Sequence, residues 1–399
     1  MKKKIIIIVN NFWDPAVYLT GIKSILDLAV SLSLKNSNLK IEILTNIDIW
    51  DKSLLETKIR SKPDIDKSIE WIKNFEKKNH IKVNFFYVPL IFKSFSFIRF
   101  IYLRFYPIIY FLFNRTDNSE ILHEFSSTPI MLLRTMFFKK FLKKNVLHTF
   151  LTLPPNIYKR KKNLILNKLV KDLSIITTNN LQMKKLRELL PNNEIDYLSI
   201  GYTKNNDNEG EFSEIDKKNL KIISFLGPLR DIKGYKSFIK LAKFFETRRE
   251  NDYRFIVACH PLGTDKEHNK NLKEIKKMKI KNLLIYEQII NKQKFFNLSD
   301  IILFPQTTYD GATGHPVTLL EAMGYNKFCI VNKIPGLIEL IHHSNGIVCD
   351  TANENDMYKH ILEIFDKKIY KNIDNTVVLK NHTMSHVSDM YIEKYYLKQ

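Results

Sequence analysis

Along the whole chain, short runs of apolar residues alternate with longer segments in which apolar positions recur at helical spacing. In the first half these runs predict a helix at residues 21–34 and strands at residues 4–9, 40–45, 83–88, 120–123, 145–150, 174–178 and 195–200. Apolar strands that alternate with helices are typical of a parallel sheet covered on both faces. The first half is therefore expected to form an α/β domain.

The second half repeats this pattern after a polar interruption at residues 203–218, which predicts a linker. A helix is predicted at residues 235–245, and strands at residues 221–226, 253–258, 282–285, 301–304 and 328–331. We expect an α/β fold of two Rossmann-like domains, residues 1–202 and 219–380, whose parallel sheets face each other across a cleft. Residues 381–399 are expected to form a C-terminal helix that packs back on the first domain. Ligands of such sheets bind beyond the carboxyl ends of the strands, so the cleft is the expected site.

Length and composition fit this organisation. The 399 residues are enough for two cores, and 44% hydrophobic with 26% charged residues describe a globular rather than a disordered chain. The three cysteines, Cys259, Cys329 and Cys349, have no disulfide or metal-ligand spacing, which favours a reducing cytoplasm. The apolar run near the amino terminus is too short for a signal peptide and lacks a cleavage site, so a first strand is the better interpretation.

The net charge of +21 indicates an anionic partner, such as nucleic acid, anionic lipid or a phosphorylated substrate. An equally good interpretation is that the many lysines are simply solvated. The basic residues are dispersed and form no recognised RNA- or DNA-binding module, so nucleic acid is not an expected partner.

Two stretches in the second half carry candidate chemistry. In the first, residues 225–234, a predicted strand enters a turn at Gly227, and Lys233 follows just before a helix. A lysine at the mouth of a cleft could neutralise a diphosphate. The stretch could equally be a strand–turn–helix connection with solvated basic residues.

The second stretch, residues 309–323, is a glycine-containing loop that leads into a helix. Backbone N–H groups at such a helix start suit an anionic or polyhydroxyl ligand. Glu321 lies among apolar residues early in this helix, where a carboxylate needs a partner. The hydroxyls of a ribose would serve, and so would the backbone donors of the helix start.

Together with residues 335–339 and 345–348, these two stretches resemble the carboxyl domain of retaining glycosyltransferases of family four, which have the GT-B fold. The resemblance implies transfer of a hexose-type residue from a nucleotide diphosphate sugar, with retention of configuration. The acceptor would be a hydroxyl of a cell-envelope glycan or of a lipid-linked molecule. The nucleotide sugar is the donor substrate, and neither a cofactor nor a metal ion is expected, since the second half contains no Asp-x-Asp pair.

The resemblance also implies roles for individual residues. Lys233 would hold the donor diphosphate, and Glu321 would form hydrogen bonds with the ribose of the nucleotide. Backbone amides in the loop of Gly314, His315 and Pro316 would bind the diphosphate or the transferred sugar.

Two positions depart from the pattern of the family. Gly227-Pro228 stands where the family usually has Gly-Arg, so the role of the arginine would fall to Arg230. The first glutamate of the family falls on Thr313, or else Asp310 replaces it with a three-residue insertion. These departures motivate an alternative, a catalytically silent GT-B-like binding or scaffold protein.

In the first half, His123 and Glu124 end a predicted strand at a position that would face the cleft. A histidine at a strand end is more often structural than catalytic. The pair resembles the His-Glu of lipid-directed members of the family, in which the histidine faces the donor sugar, and this implies a catalytic His123. Residues 10–21 occupy the place of the first cleft loop of the family, where Gly21 remains of the usual glycine pair and would contact the nucleotide sugar.

Residues 91–113 are rich in aromatic and aliphatic side chains but contain Lys93, Arg99 and Arg104, and the two arginines argue against a membrane-spanning helix. A helix lying in the membrane interface fits this pattern, and so does a helix packed on the first sheet. The basic amphipathic stretch at residues 134–144 favours contact with an anionic membrane surface. We therefore expect a cytoplasmic protein that is peripheral on the inner face of the cytoplasmic membrane.

Overall fold

A computed structural model describes residues 3–9, 20–47, 62–87, 96–114, 120–126, 131–151, 168, 170–204, 219–259, 266–287, 291–308 and 316–397 of the chain. These residues form two compact units. The first contains the chain up to Gly201 together with the C-terminal segment from Thr383, and the second lies within Tyr202–His382.

Strands and helices alternate along the described residues, as they do in βαβ units. The strands are β1 (Lys3–Val9), β2 (Leu39–Ile47), β3 (Lys82–Tyr87), β4 (Ile121–Ser126), β5 (Asn145–Phe150), β6 (Ser174–Thr177), β7 (Ile195–Tyr197), β8 (Lys221–Leu226), β9 (Tyr253–Ala258), β10 (Leu283–Tyr286), β11 (Ile301–Phe304), β12 (Phe328–Asn332) and β13 (Gly346–Cys349). The helices are α1 (Thr20–Lys35), α2 (Lys62–Asn79), α3 (Ser96–Phe113), α4 (Met131–Lys140), α5 (Asn180–Leu189), α6 (Tyr235–Thr247), α7 (Lys266–Lys277), α8 (Lys292–Leu298), α9 (Val317–Gly324), α10 (Glu354–Asp366), α11 (Thr376–His382) and α12 (Met384–Tyr391).

The first domain is built on a sheet of seven parallel strands in the order β3-β2-β1-β4-β5-β6-β7. The isoleucines of β1 bury both faces of this sheet. Ile5 and Ile7 belong to a cluster with α1 and α12, whereas Ile6 and Ile8 belong to a cluster with α3 and α4. Because successive side chains of a strand point to opposite faces, a central strand covered on both sides has an unbroken apolar sequence.

The C-terminal helix α12 completes the core of the first domain. Tyr391 of α12 and Tyr396 of the following π-helical turn are buried in the same cluster as Ile25 of α1. Lys35 at the end of α1 forms an ion pair with Asp389 of α12. The core of the first domain is therefore assembled from both ends of the chain.

The second domain is built on a sheet of six parallel strands in the order β10-β9-β8-β11-β12-β13. Phe255 of β9 and Leu303 of β11 are buried in one cluster with α6, α7 and α10. The chain proceeds from β8 outward to β9 and β10, and from β11 outward in the other direction to β12 and β13. The strand order therefore reverses between β8 and β11, which is the position where ligands bind in open α/β sheets.

The expected fold class, two Rossmann-like α/β domains with parallel sheets, is confirmed. Some boundaries differ from the prediction. β4 continues to Ser126, so His123 is its third residue and not its end, because the pairing with β5 extends to Phe150. β13 was not predicted as a strand. It depends on the absence of a side chain at Gly346, where a Cβ atom would lie 2.2 Å from the carbonyl oxygen of Cys329.

The apolar segment at residues 91–113 forms α3 from Ser96 onward and continues through Pro107. Its buried Phe111 packs edge-on against Phe138 of α4, with 5.3 Å between the ring centroids. One side of α3 thus covers the first sheet. Within the described ranges, no helix combines the length and the apolar character needed to cross a membrane.

Candidate functional site

Two loops meet where the strand order of the second sheet reverses. One joins β8 to α6 and contains Gly227, Arg230 and Lys233, and the other follows β11 and leads to α9. Gly227 directly follows β8, and its N–H donates to the carbonyl oxygen of Ala258 at the end of β9. Since both loops leave from the carboxyl ends of adjacent parallel strands, their residues share one edge of the sheet.

The two loops are packed directly against each other. Gly234 has a φ of +71°, and a Cβ atom built on it would lie 1.6 Å from the carbonyl oxygen of Pro305. The backbone N–H of Thr307 donates to the carbonyl oxygen of Ile232 (3.2 Å), and the Thr307 hydroxyl donates to that of Asp231 (3.2 Å). A glycine is required at residue 234 both by the left-handed backbone and by this close approach.

Lys233 is the last residue of a short 3₁₀ turn, Asp231–Lys233, between β8 and α6. Burial lowers the pKa of its ammonium group, and the positive charge of Arg230 lowers it further. Among the described residues, no carboxylate forms an ion pair with Lys233 and no hydrogen bond from its ammonium is present. Two basic side chains that repel each other at a ligand-binding edge favour the binding of an anion.

Three side chains from the start of α7 fix the backbone of the same loop. The Asn271 amide donates to the carbonyl oxygen of Leu229 (2.7 Å), and Nδ1 of His268 accepts the N–H of Leu229 (3.0 Å). The Glu267 carboxylate accepts the N–H of Asp231 (2.8 Å). These three residues were not expected from the sequence, because α7 shows only a polar helical pattern and nothing local indicates which loop it contacts.

Glu321 is the fifth residue of α9 and is only 5% exposed. Its two carboxylate oxygens lie 2.7 and 2.9 Å from the ammonium nitrogen of Lys292, the first residue of α8. Its observed partner is therefore a lysine, which was not among the partners considered from the sequence. The two residues are 29 positions apart, and only the return of both helices to one edge of the sheet brings them together.

Of the remaining predicted binding residues, the structure describes two and leaves four undescribed. Pro316 is the residue before α9 and starts that helix, whereas Asp310, Thr313, Gly314 and His315 lie outside the described residues. Gly21 lies in the first turn of α1, in the first domain. The described part of the chain contains no group of three or more His, Cys, Asp or Glu side chains arranged to hold a metal ion.

His123 is completely enclosed in the first domain. Its Nδ1 lies 2.6 Å from the hydroxyl of Tyr396 and its Nε2 lies 2.7 Å from the hydroxyl of Thr149. Burial, with a smaller effect of His148, holds the pKa of His123 well below its ordinary value of 6.5. The imidazole is thus neutral and fully hydrogen-bonded, and a sugar hydroxyl could reach it only by displacing Tyr396 or Thr149. A catalytic role for His123 stays a prediction.

Glu124 points to the other face of the same strand and belongs to a separate buried network. Its carboxylate accepts hydrogen bonds from Arg134 (2.7 Å) and from the hydroxyl of Thr135 (2.9 Å). The Thr135 hydroxyl also lies 2.7 Å from Nδ1 of His148, whose Nε2 is 2.9 Å from the hydroxyl of Ser126. Buried polar groups that satisfy one another in this way fix a single packing of α4 on the sheet.

Comparison with known families gives one match by sequence. Residues 207–376 match the family model of glycosyl transferases group 1. This segment contains the loop of Lys233, the α7 residues that fix it, and the pair of Lys292 and Glu321. No curated protein matches the chain in sequence.

Solved structures resemble the chain over its whole length. A glycosyltransferase from Rickettsia africae ESF-5 has 16% identity and a TM-score of 0.66, with 100% of this chain and 99% of that one covered. Anabaena Alr3699/HepE in complex with UDP has 12% identity and a TM-score of 0.65, with 98% of both chains covered. Sucrose-phosphate synthase from Thermosynechococcus elongatus has 11% identity and a TM-score of 0.65, with 99% of both covered. At these identities the likeness establishes the fold.

Proposed function

We propose that this chain, whose residues 207–376 match the model of glycosyl transferases group 1, is a member of that family and transfers a sugar from a nucleotide diphosphate sugar to a hydroxyl acceptor. The observation that carries the proposal is the position of Lys233. It lies beside Arg230 on the loop after β8, next to the point of strand reversal, and the positive charge of Arg230 adds to burial in lowering the pKa of its ammonium group.

A leaving nucleoside diphosphate would bring negative charge to Lys233 and Arg230. As the bond between the sugar and the diphosphate breaks, negative charge develops on the diphosphate oxygens. Lys233 and Arg230 stabilise that charge more strongly in the transition state than in the intact donor, and such differential binding accelerates transfer. The close packing of Gly234 on Pro305 holds the loop in place, so little reorganisation is needed during the reaction.

Glu321 contributes recognition of the nucleotide. A buried carboxylate at this edge can accept hydrogen bonds from the vicinal hydroxyls of a ribose, which are strong when the acceptor is charged. In more detail, the proposed reaction transfers a hexose-type sugar, with retention of configuration, to a cell-envelope glycan or a lipid-linked acceptor. The relatives support nucleotide sugar as the donor class, since Anabaena HepE is described in complex with UDP and with UDP-glucose.

An exposed surface of apolar and basic side chains on the first domain supports a lipid-linked acceptor. At the end of α3, Leu112 and Phe113 are exposed, the latter to 84%, and Phe141 just beyond α4 is 67% exposed. The adjoining Lys140 and Lys143 are exposed as well. Aromatic side chains beside lysines favour binding to an anionic membrane interface, here proposed to be the inner face of the cytoplasmic membrane.

The proposed function can be tested by titration calorimetry and by donor hydrolysis assays with UDP-, GDP-, ADP- and dTDP-sugars. The protein is expected to bind one nucleotide class and to hydrolyse or transfer its sugar. Lys233→Ala should abolish turnover and weaken binding of the nucleoside diphosphate at least about tenfold, because a charge-assisted contact to the diphosphate is lost.

The matched control is Lys240→Ala, which removes a solvent-exposed lysine from the next turns of α6. It should leave binding and turnover unchanged. Failure of the protein to bind any of the nucleotide sugars would favour the silent GT-B-like scaffold instead. Equal activity of Lys233→Ala and the unmodified protein would remove the diphosphate role of Lys233.

A further inference from the structure

The ion pair between Lys292 and Glu321 places a second charged residue at the nucleotide end of the site. We propose that Lys292 is a positioning residue for the donor: it holds the Glu321 carboxylate in the orientation that accepts two vicinal hydroxyls of a ribose. This inference rests on the proposed function, because it assumes that Glu321 binds the ribose of a nucleotide.

Burial makes the ion pair necessary for Glu321. The residue is 5% exposed and is surrounded on α9 by the buried side chains of Leu320 and Ala322. A buried carboxylate charge is costly unless a cation or several hydrogen bonds stabilise it. Within the described residues, Lys292 is the cation paired with it, and the Lys292 side chain is itself only 15% exposed.

The hydrogen-bond geometry leaves room for a ligand. One ammonium group bonds to both oxygens of Glu321, at 2.7 and 2.9 Å. A carboxylate has about four lone-pair directions, so about two remain for other donors. Two hydroxyls on neighbouring carbons of a ribose would supply these donors. The lysine therefore need not leave when the nucleotide binds.

The position of Lys292 on its helix is not explained by local sequence preferences. A cation in the first turn of a helix is disfavoured by the partial positive charge of the helix amino terminus, and the first turn of α8 has no acidic residue. The start of α8 is also fixed, because the buried Asn291 side chain accepts the N–H of Lys294 at 2.8 Å. Lys292 is thus held at an unfavourable helix position, where the negative charge of Glu321 offsets the cost.

The test measures binding of UDP to the protein by calorimetry. If another nucleoside diphosphate binds more tightly in the screen with four nucleotide classes, that diphosphate replaces UDP. Lys292→Met is expected to weaken binding about tenfold, because the Glu321 carboxylate loses the cation that orients it toward the ribose hydroxyls. Lys292→Arg should restore most of the affinity, because it returns a cation to Glu321.

Two further measurements separate positioning from a general loss of structure. The double variant Lys292→Met with Glu321→Gln, which contains no buried charge, should bind UDP no more weakly than Glu321→Gln alone, because Lys292 acts through Glu321. The 2′,3′-dideoxy form of UDP should bind equally to the unmodified protein and to Lys292→Met.

Other outcomes would overturn the inference. If the effects of the two single substitutions add in the double variant, Lys292 acts independently of Glu321. If Lys292→Met binds UDP more tightly, the lysine competes with the ribose for the carboxylate. If Lys292→Met binds UDP with unchanged affinity, the positioning role of Lys292 is contradicted as well. Failure of the unmodified protein to bind any nucleoside diphosphate would instead refute the proposed function, so the two failures are distinguishable.

Discussion

His123 and His148 lie on the neighbouring strands β4 and β5 but on opposite faces of the sheet, since His148 pairs in register with Glu124 and not with His123. Both imidazoles are completely buried and hydrogen-bonded through both nitrogens. Burial keeps both of them neutral, and it lowers the pKa of His148 to about 4. Each histidine therefore makes the stability of the first domain depend on pH.

The direction of this dependence follows from proton binding by the two states. Between the ordinary value of about 6.5 and the folded pKa of about 4, the unfolded chain binds a proton at His148 that the folded chain does not bind. The free energy of unfolding should therefore fall as the pH drops through this range, by about 3 kcal/mol for His148 alone. Above a pH of about 6.5, protonation of His148 no longer changes the free energy of unfolding.

Chemical denaturation of the protein at a series of pH values between about 7 and 4 measures this effect. The variant His148→Gln, which has no titrating group at this position, should show a slope shallower by about one proton. Its overall stability should be lower, because the glutamine does not reproduce both hydrogen bonds of the imidazole. An identical pH slope for the two proteins would contradict the assignment of a buried neutral His148.

At the scale of elements, α7 restrains the loop that carries Arg230 and Lys233. Glu267, His268 and Asn271 bond to backbone atoms on both sides of Arg230. Since this loop also contains Lys233, its backbone must be held while the cations repel each other. The first turns of α7 supply that restraint, and they do so from an element that is polar along most of its length.

Asn271→Ala tests this restraint. Removing the amide leaves the carbonyl oxygen of Leu229 without its 2.7 Å donor, so the loop should occupy its binding conformation less often. We expect kcat/KM for the donor to fall about tenfold and the melting temperature to change by only a few degrees. The control Lys270→Ala, at an exposed neighbour on α7, should leave both unchanged. A fall in melting temperature without a change in kcat/KM would show that Asn271 serves stability alone.

At the scale of the whole molecule, the net charge of +21 should become visible as salt-dependent binding to anionic vesicles. The protein should cosediment with vesicles that contain anionic lipid at low salt, but not with neutral vesicles. Exchanging the exposed Phe113 and Phe141 for serine should weaken this binding at least about tenfold, since the apolar contribution is lost.

The control for this experiment is Met278→Ser, which removes an exposed apolar side chain of the second domain. It should not change cosedimentation. Equal losses in the Met278 and phenylalanine variants would contradict a specific membrane surface at Phe113 and Phe141. Binding that is insensitive to both would indicate that dispersed lysines alone attract the vesicles.

The sequence by itself determined the fold class and the loops that carry the candidate chemistry. Strands β8, β9 and β11 begin and end where the apolar pattern predicts them, because a strand buried on both faces is mostly apolar. The loop of Lys233 was recognisable from neighbouring residues as well, since Gly227, Gly234 and a basic residue are close together in the chain. Information of this kind is local.

Only the tertiary structure decided what the key side chains contact. The partner of Glu321 lies 29 positions earlier, on another helix, and the restraints on the loop of Lys233 come from α7. His123 was expected to face a cleft, yet it is enclosed by Thr149 of the next strand and by Tyr396, 273 residues along the chain. An apolar pattern specifies which face of an element is buried. It does not specify which distant polar group meets it there, because that depends on the order in which strands assemble into the sheet.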